Sequence, residues 1–328
     1  MRTGIRRAAR RGIEAALLGR ARLVRRALLA LGRDESPLLP EIVQIESTNI
    51  CNAKCVFCPR DAMGRKQGVM DMALFARIVD ESASLGIRHL RLHNYGESFI
   101  DRRLIEKVRY AKKRGVAEVG LISNGSLINE DAARGIVEAG LDAINISVDA
   151  AGKETFERTR LGLSYDRVIG NIENLLRIRK ELGSRRPKLI LSFVRRDDSV
   201  EEQQFVEKWR ELADKIHVTA LHNWGGTLHG RSDVRFPCYR PWLTFTVLWD
   251  GRVALCCADF DGKVILGDMR TQSIREIWNG EPYRHARRLH LESGGPEICR
   301  SCDLPRKDSP LWIGRILSRP SGPAVPLG

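Results

Sequence analysis

The chain has 328 residues, 43% of them hydrophobic, and a formal net charge of +14. That length suits one large globular domain plus a small one, and eight grouped cysteines are too few for a small disulfide scaffold. Met1 to Arg33 alone carries ten arginines against Glu14, so the body is only mildly basic, and it lacks the basic and aromatic interleaving of a nucleic-acid binder. The longest apolar stretch, Ala15 to Leu31, is broken by Arg20, Arg22, Arg25 and Arg26, which excludes a membrane span there and a convincing signal peptide. Thiolate-type metal ligands with neither segment point to the reducing cytoplasm.

In chain order, residues 1–36 read as a basic amphipathic helical leader, with Ile13, Leu17, Val24, Leu28 and Leu31 near helical spacing. Such a helix packs on the main domain or makes peripheral contact with an anionic membrane. Residues 37–228 then alternate apolar strand runs with helical patterns. The strands are Ile42–Ser47, His89–His93, Glu118–Ser123, Ala143–Ser147, Lys188–Val194 and Ile216–Leu221. The helices are Asp71–Leu85, Arg102–Lys113, Asn129–Ala139, Tyr165–Leu182 and Ser199–Ala213, several with a capping residue in front and a glycine behind. Six strands alternating with helices imply an α/β fold with a parallel sheet, open or rolled into a barrel, whose chemistry lies at the C-terminal ends of the strands. Residues 229–306 change pattern. Thr244–Trp249 and Arg252–Cys257 flank Asp250-Gly251, a hairpin signal, and Ser273 with Glu276 forms a capping box ahead of Ile277 and Trp278. Residues 307–328 form a Pro-rich tail.

The first strand leads directly into Cys51-x3-Cys55-x2-Cys58. Three cysteines on one loop can hold three irons of a 4Fe-4S cube and leave the fourth open to a substrate or cofactor. Structural zinc is the alternative, but it wants a fourth ligand and none lies in the loop. The spacing, with Phe57 at the aromatic position, resembles the signature of the radical S-adenosylmethionine (SAM) superfamily. Later strand ends extend the likeness. Gly96-Glu97 resembles the pair that contacts the methionine amine, with Tyr95 in place of the usual first glycine. Ser123-Asn124-Gly125 resembles an element near the ribose, and Ser147-Val-Asp149 another SAM-facing turn. The resemblance implies a partial (β/α)6 barrel. It also implies one 4Fe-4S cluster binding SAM, reductive cleavage of SAM to a 5'-deoxyadenosyl radical, and a flavodoxin- or ferredoxin-type electron donor.

The C-terminal cysteines Cys238, Cys256, Cys257, Cys299 and Cys302 surround the hairpin and helix, and resemble the SPASM or twitch modules that hold auxiliary clusters in this superfamily. Their number favours one four-ligand 4Fe-4S cluster, with zinc as the alternative. Neighbours on a strand face opposite ways, so Cys256 and Cys257 are expected to divide between ligand and non-ligand. The x17 spacing resembles that of a family dehydrogenase acting on an inositol amine. This implies Cys238, Cys256, Cys299 and Cys302 as ligands and leaves Cys257 as a candidate catalytic hydrogen donor.

Two reactions follow for a sugar, aminoglycoside or cyclitol substrate: oxidation of a hydroxyl-bearing carbon, or its epimerisation with Cys257. Maturation of a small peptide and a non-catalytic iron-sulfur or zinc protein are the other readings. His93, Arg195, Arg196, Asp197 and His222 sit at strand ends, where a proton acceptor would be useful.

Overall fold

A computed structural model describes residues 34, 36, 39–196, 199–228, 238, 240–292 and 294–304. The leader helix, the Pro-rich tail and Asp197 lie outside the described residues.

Six parallel strands form as the alternation predicts: β1 (Ile42–Ile45), β3 (His89–Arg91), β4 (Glu118–Ser123), β5 (Ala143–Ser147), β7 (Lys188–Arg195) and β8 (Lys215–Ala220). Two-residue strands β2 (Lys54–Cys55) and β6 (Arg160–Leu161) pair with each other outside this sheet. Val43, Leu90, Val119, Leu121, Ile144, Ile146, Leu189 and Leu191 alternate along the strands and bury completely or nearly so against the helices. The intervening residues Gln44, Asn145, Ser147 and Ser192 share the opposite face with Ile42, Ile122 and Ile190, and His93 follows β3 on that side, so the face mixes polar and apolar groups.

Helix boundaries follow local chemistry. Asp71, Asn129 and Ser164 each accept a backbone N–H from the first turn, opening helices Met72–Ser84, Glu130–Glu138 and Tyr165–Glu181. A short helix, Lys153–Thr159, was not evident from periodicity. The Ser273 and Glu276 capping box is present at helix Ile274–Trp278, and a further helix, Glu281–Glu292, follows it.

The Asp250-Gly251 hairpin also forms, but its strands are shorter than expected: β9 (Thr244–Val247) and β10 (Arg252–Ala254). Gly251 takes φ +94, which the tight turn requires. Cys256 and Cys257 therefore lie in the turn beyond β10, and the strand-parity argument does not apply to them. Nor is the C-terminal region a separate sheet. β9 pairs parallel to β1, and β11 (Ile265–Asp268) completes one nine-stranded sheet in the order β11-β10-β9-β1-β3-β4-β5-β7-β8.

A buried ion pair joins the two regions. Arg65 forks onto Glu46 at 2.6 and 2.5 Å, and its Nε donates to the Phe260 carbonyl at 2.6 Å. The Glu46 side chain is fully buried and Arg65 nearly so. Loss of one partner leaves an uncompensated buried charge, which typically costs about 3–5 kcal/mol. Arg65→Ala and Glu46→Ala are each expected to lose stability of that order in chemical denaturation of the full chain, whereas removing the exposed Arg103–Glu106 pair should cost less than about 1 kcal/mol.

Candidate cluster and cofactor site

Cys51, Cys55 and Cys58 lie in the loop after β1, at the C-terminal end of the sheet. The loop is pinned at several points. Cys58 N–H donates to the Cys55 carbonyl, Val56 N–H to the Thr159 carbonyl, and Arg60 Nη2 to the Ala53 carbonyl. Burial pushes all three thiols up, Cys58 to about 11. Iron must therefore displace protons there.

The matching turns converge on this loop. Gly96 has φ +93, and a Cβ there would lie 2.6–2.9 Å from backbone atoms of Thr48, Asn49 and Ile50, so only glycine fits against the loop's start. Glu97 is buried and burial raises its carboxyl. Its oxygens accept from Ser123 Oγ at 2.7 Å, Asn124 N at 2.6 Å and Phe99 N at 3.2 Å, which locks the β3 and β4 ends together. Asn124 reaches the cysteine loop through Asn52 Oδ1 at 2.9 Å. Ser147 lies level with Ser192 on the face of the sheet opposite the helices.

Asp149, expected in a cofactor-facing turn, has a different engagement. Its carboxylate accepts from Val194 N at 2.7 Å and pairs with Arg160, a residue the sequence did not single out. Arg160 is buried, reaches Cys55 Sγ at 3.6 Å and stands 5.5 Å from the Phe57 ring centroid. Asp149 thus positions a cation beside the cysteines. No local signal could have revealed this, since the ladder that brings Arg160 there pairs β2 with β6 across 105 residues.

Cys238, Cys256, Cys299 and Cys302 line one small cavity with Pro241, Leu255, His290 and Leu304. Cys257 is not among its lining residues. Arg240 Nη1 donates to the Cys257 sulfur at 3.2 Å, and Tyr95 Oη to its carbonyl at 2.6 Å. Tyr95, the departure from the usual glycine, therefore ties the strand end beside the first cysteine loop to the turn carrying Cys256 and Cys257. Its ring lies 5.7 Å from that of Trp224, whose Nε1 donates to the Phe57 carbonyl at 2.9 Å. No motif marks Trp224, which takes φ +49 in a glycine-rich segment.

Among the described residues, the one group compact enough to share a single ion is His222, Cys302 and Asp303. Among the described residues, no three sulfurs of either cysteine set are grouped closely enough to share one ion, as a zinc site would require. The sulfur donors therefore fit a three-ligand cluster in the loop and a four-ligand cluster in the cavity.

Residues 45–186 match the radical SAM superfamily, and residues 238–303 match an iron-sulfur cluster-binding domain, SPASM. Residues 45–186 thus carry a radical SAM domain and residues 238–303 a SPASM domain, whose cofactors are SAM and catalytic and auxiliary 4Fe-4S clusters. Similar curated proteins include a probable GTP 3',8-cyclase of Methanopyrus kandleri, 34% identical over 145 residues, 44% of each chain. Another, from Saccharolobus islandicus, is 30% identical over 183 residues, 56% of this chain and 57% of its own. The chain spans about half the length of these relatives.

The fold resembles BtrN in complex with AdoMet and 2-DOIA, with TM-score 0.59 and 20% identity over 81% of this chain and 94% of that one. It also resembles Streptococcus suis SuiB bound to precursor peptide SuiA, with TM-score 0.65 and 12% identity over 84% and 75%. No helix among the described residues is long and apolar enough to cross a membrane.

The other strand-end residues have separate surroundings. Arg195 pairs with Glu202 at the surface, and Arg196 holds the Asp149 carbonyl and Glu201. His222 Nδ1 lies 2.7 Å from Asp303 Oδ1, and its ring stacks on Trp224. His93 shares the face opposite the helices. Its Nδ1 is buried with no hydrogen-bond partner, and burial lowers its pKa to about 3.

Single alanine variants of Cys51, Cys55, Cys58, Cys238, Cys256, Cys299 or Cys302 are expected to lose about one cluster's iron, while Cys257→Ala keeps the full complement by iron and sulfide analysis. His93 supplies a pH test. With a folded pKa below the unfolded 6.5, the unfolded state takes up the proton first. Stability should fall as pH drops from about 6.5 toward 3, by up to about 1.4 kcal/mol per unit, and His93→Gln should flatten that part of the denaturation profile.

Proposed function

We propose that this enzyme oxidises a hydroxyl-bearing carbon of a sugar, aminoglycoside or cyclitol to a ketone. The observation that carries this reading is the pairing of an open three-cysteine loop with one cavity lined by four cysteines, Cys257 not being among its lining residues. When bound, SAM and its cluster supply a hydrogen-abstracting radical, and the auxiliary cluster supplies an acceptor for the second electron.

The chain's own residues account for the rest. Cys51, Cys55 and Cys58 hold the first cluster, while Phe57, Gly96, Glu97, Ser123, Asn124, Ser147 and Asp149 shape the SAM pocket, Glu97 and Asp149 through the contacts described above. Cys238, Cys256, Cys299 and Cys302 hold the second cluster. Gln44, Asn145, Ser147 and Ser192 give the inner face hydrogen-bonding groups suited to a hydroxylated substrate. Buried Thr246 Oγ1 and His93 Nδ1, unpartnered among the described residues, add two polar atoms on that face. The hydroxyl proton is lost to solvent, since burial leaves the His93 imidazole, with a pKa of about 3, too weak a base to hold it.

BtrN, which has a similar fold, is named in complex with a small molecule, and this supports a small substrate. Epimerisation would need Cys257 as hydrogen donor, but its sulfur is engaged by Arg240. A flavodoxin- or ferredoxin-type protein would provide the electron for SAM cleavage, and the leader would be the part available for peripheral membrane contact.

The assay is anaerobic turnover with SAM, reductant and an amino-cyclitol and amino-sugar panel in deuterated water. The expected result is a carbonyl product, methionine and 5'-deoxyadenosine, with Cys257→Ala still active. Deuterium at an inverted carbon, lost in Cys257→Ala, would establish epimerisation instead. GTP belongs in the same panel because the similar curated proteins are named as GTP 3',8-cyclases, and a cyclised nucleotide would replace this reading.

A further inference from the structure

The four-cysteine cavity has an unusual wall. Apart from the cysteines, it is lined by apolar Pro241, Leu255 and Leu304, and by one other polar side chain, His290. His290 lies in the last turn of helix Glu281–Glu292, on the buried stripe of Tyr283, Ala286 and Arg287, and is itself 1% exposed. Positions at that spacing normally carry apolar side chains, because burying an imidazole costs free energy that must be recovered by polar contacts.

The following turn is built around the ring. Gly294 and Gly295 take φ +91 and +101, and Gly295 N–H donates to the Leu289 carbonyl at 2.8 Å. A Cβ on Gly295 would lie 2.5 Å from His290 Cε1, 2.8 Å from its Nδ1 and 2.9 Å from the Cys299 Cβ. The glycine thus lets the imidazole and Cys299 meet at one point of the backbone, with no side chain between them. The Trp242 ring, edge-on at 6.3 Å, supports the other side.

We infer that His290 is a non-ligating member of the auxiliary cluster pocket, an imidazole N–H donor toward the cluster's sulfur atoms that raises its reduction potential. The inference rests on the reading that Cys238, Cys256, Cys299 and Cys302 are the ligands. Reduction adds negative charge to the sulfurs, and an N–H directed at them stabilises the reduced state more than the oxidised one. In an otherwise apolar wall, that one donor has a large effect on how readily the cluster accepts an electron. His290 is therefore a positioning and tuning residue and not a catalytic one.

The test is an EPR-monitored redox titration of the reconstituted full chain, following the cluster signal that added SAM does not perturb. His290→Phe keeps the ring's bulk and removes the N–H. It should keep its iron yet show a lower potential, by at least a tenfold change in the reduction equilibrium, about 59 mV for one electron. His290→Gln, which restores a donor, should fall between it and the parent. An unchanged potential in iron-replete His290→Phe would overturn the proposal.

A second measurement does not depend on those variants folding. Parent protein carrying 15N-histidine should show nitrogen coupling to the reduced auxiliary cluster by pulsed EPR, and the coupling should persist in His222→Phe. Its absence in the parent, or its loss in His222→Phe, would also overturn the proposal, since His222 is, among the described residues, the other histidine grouped with a cavity cysteine. Failure of the ligand reading looks different, because iron would then survive alanine substitution of the cavity cysteines.

Discussion

The Arg65 guanidinium, buried between the two regions, makes one site out of two cysteine sets. β1 ends just before Glu46, and the chain then runs through Cys51, Cys55 and Cys58 before Arg65 brings it back onto Glu46. The same side chain holds the Phe260 carbonyl, and the backbone N–H groups of Gly64 and Arg65 both donate to Asp261. The loop of the first cluster and the turn that follows Cys256 and Cys257 therefore share a joint. Burying that charge is tolerable because the carboxylate meets it in a fork, while Nε finds a carbonyl. The β1 to β9 pairing brings the two ends of this joint together, since it places the hairpin beside the strand that feeds the cysteine loop.

A second, aromatic tie runs parallel to the first. Trp224 donates to Phe57 in the first loop and packs near Tyr95, which donates to the Cys257 carbonyl. Asn223 extends it, with its side-chain amide donating to the Ser301 carbonyl at 2.6 Å. The end of the sixth strand is thus bonded to both cysteine regions, which limits how far one can move without the other. For chemistry that moves single electrons, a fixed separation between centres matters more than strength at any one contact.

Much of this was legible in the sequence because it is local. Period-two runs gave the six strands, capping residues gave the helix starts, and the spacing of Cys51, Cys55 and Cys58 defined an open iron site. What remained hidden is long-range. β1 and β9 are separated by about two hundred residues, and parallel pairing leaves no turn signal to announce it. Arg160 and Arg65 looked like ordinary basic residues because their partners, Asp149 and Glu46, are distant or on another element. Cys256 and Cys257 are instructive: Cys256 lines the cavity and Cys257 does not, yet both lie in a turn, where the alternation of a strand does not apply.

The substrate was harder to read for a related reason. The inner face collects Gln44, Asn145, Ser147 and Ser192 from β1, β5 and β7, and each alone is simply the polar position of an alternating strand. Only the shared register makes them a surface, and only burial distinguishes His93 and Thr246, whose polar atoms lack partners within the described protein. Buried hydrogen-bonding capacity left open is costly unless something fills it. On the proposed reading, a hydroxylated substrate with several donors and acceptors would fill it, and its entry would desolvate the site in which the radical must be contained.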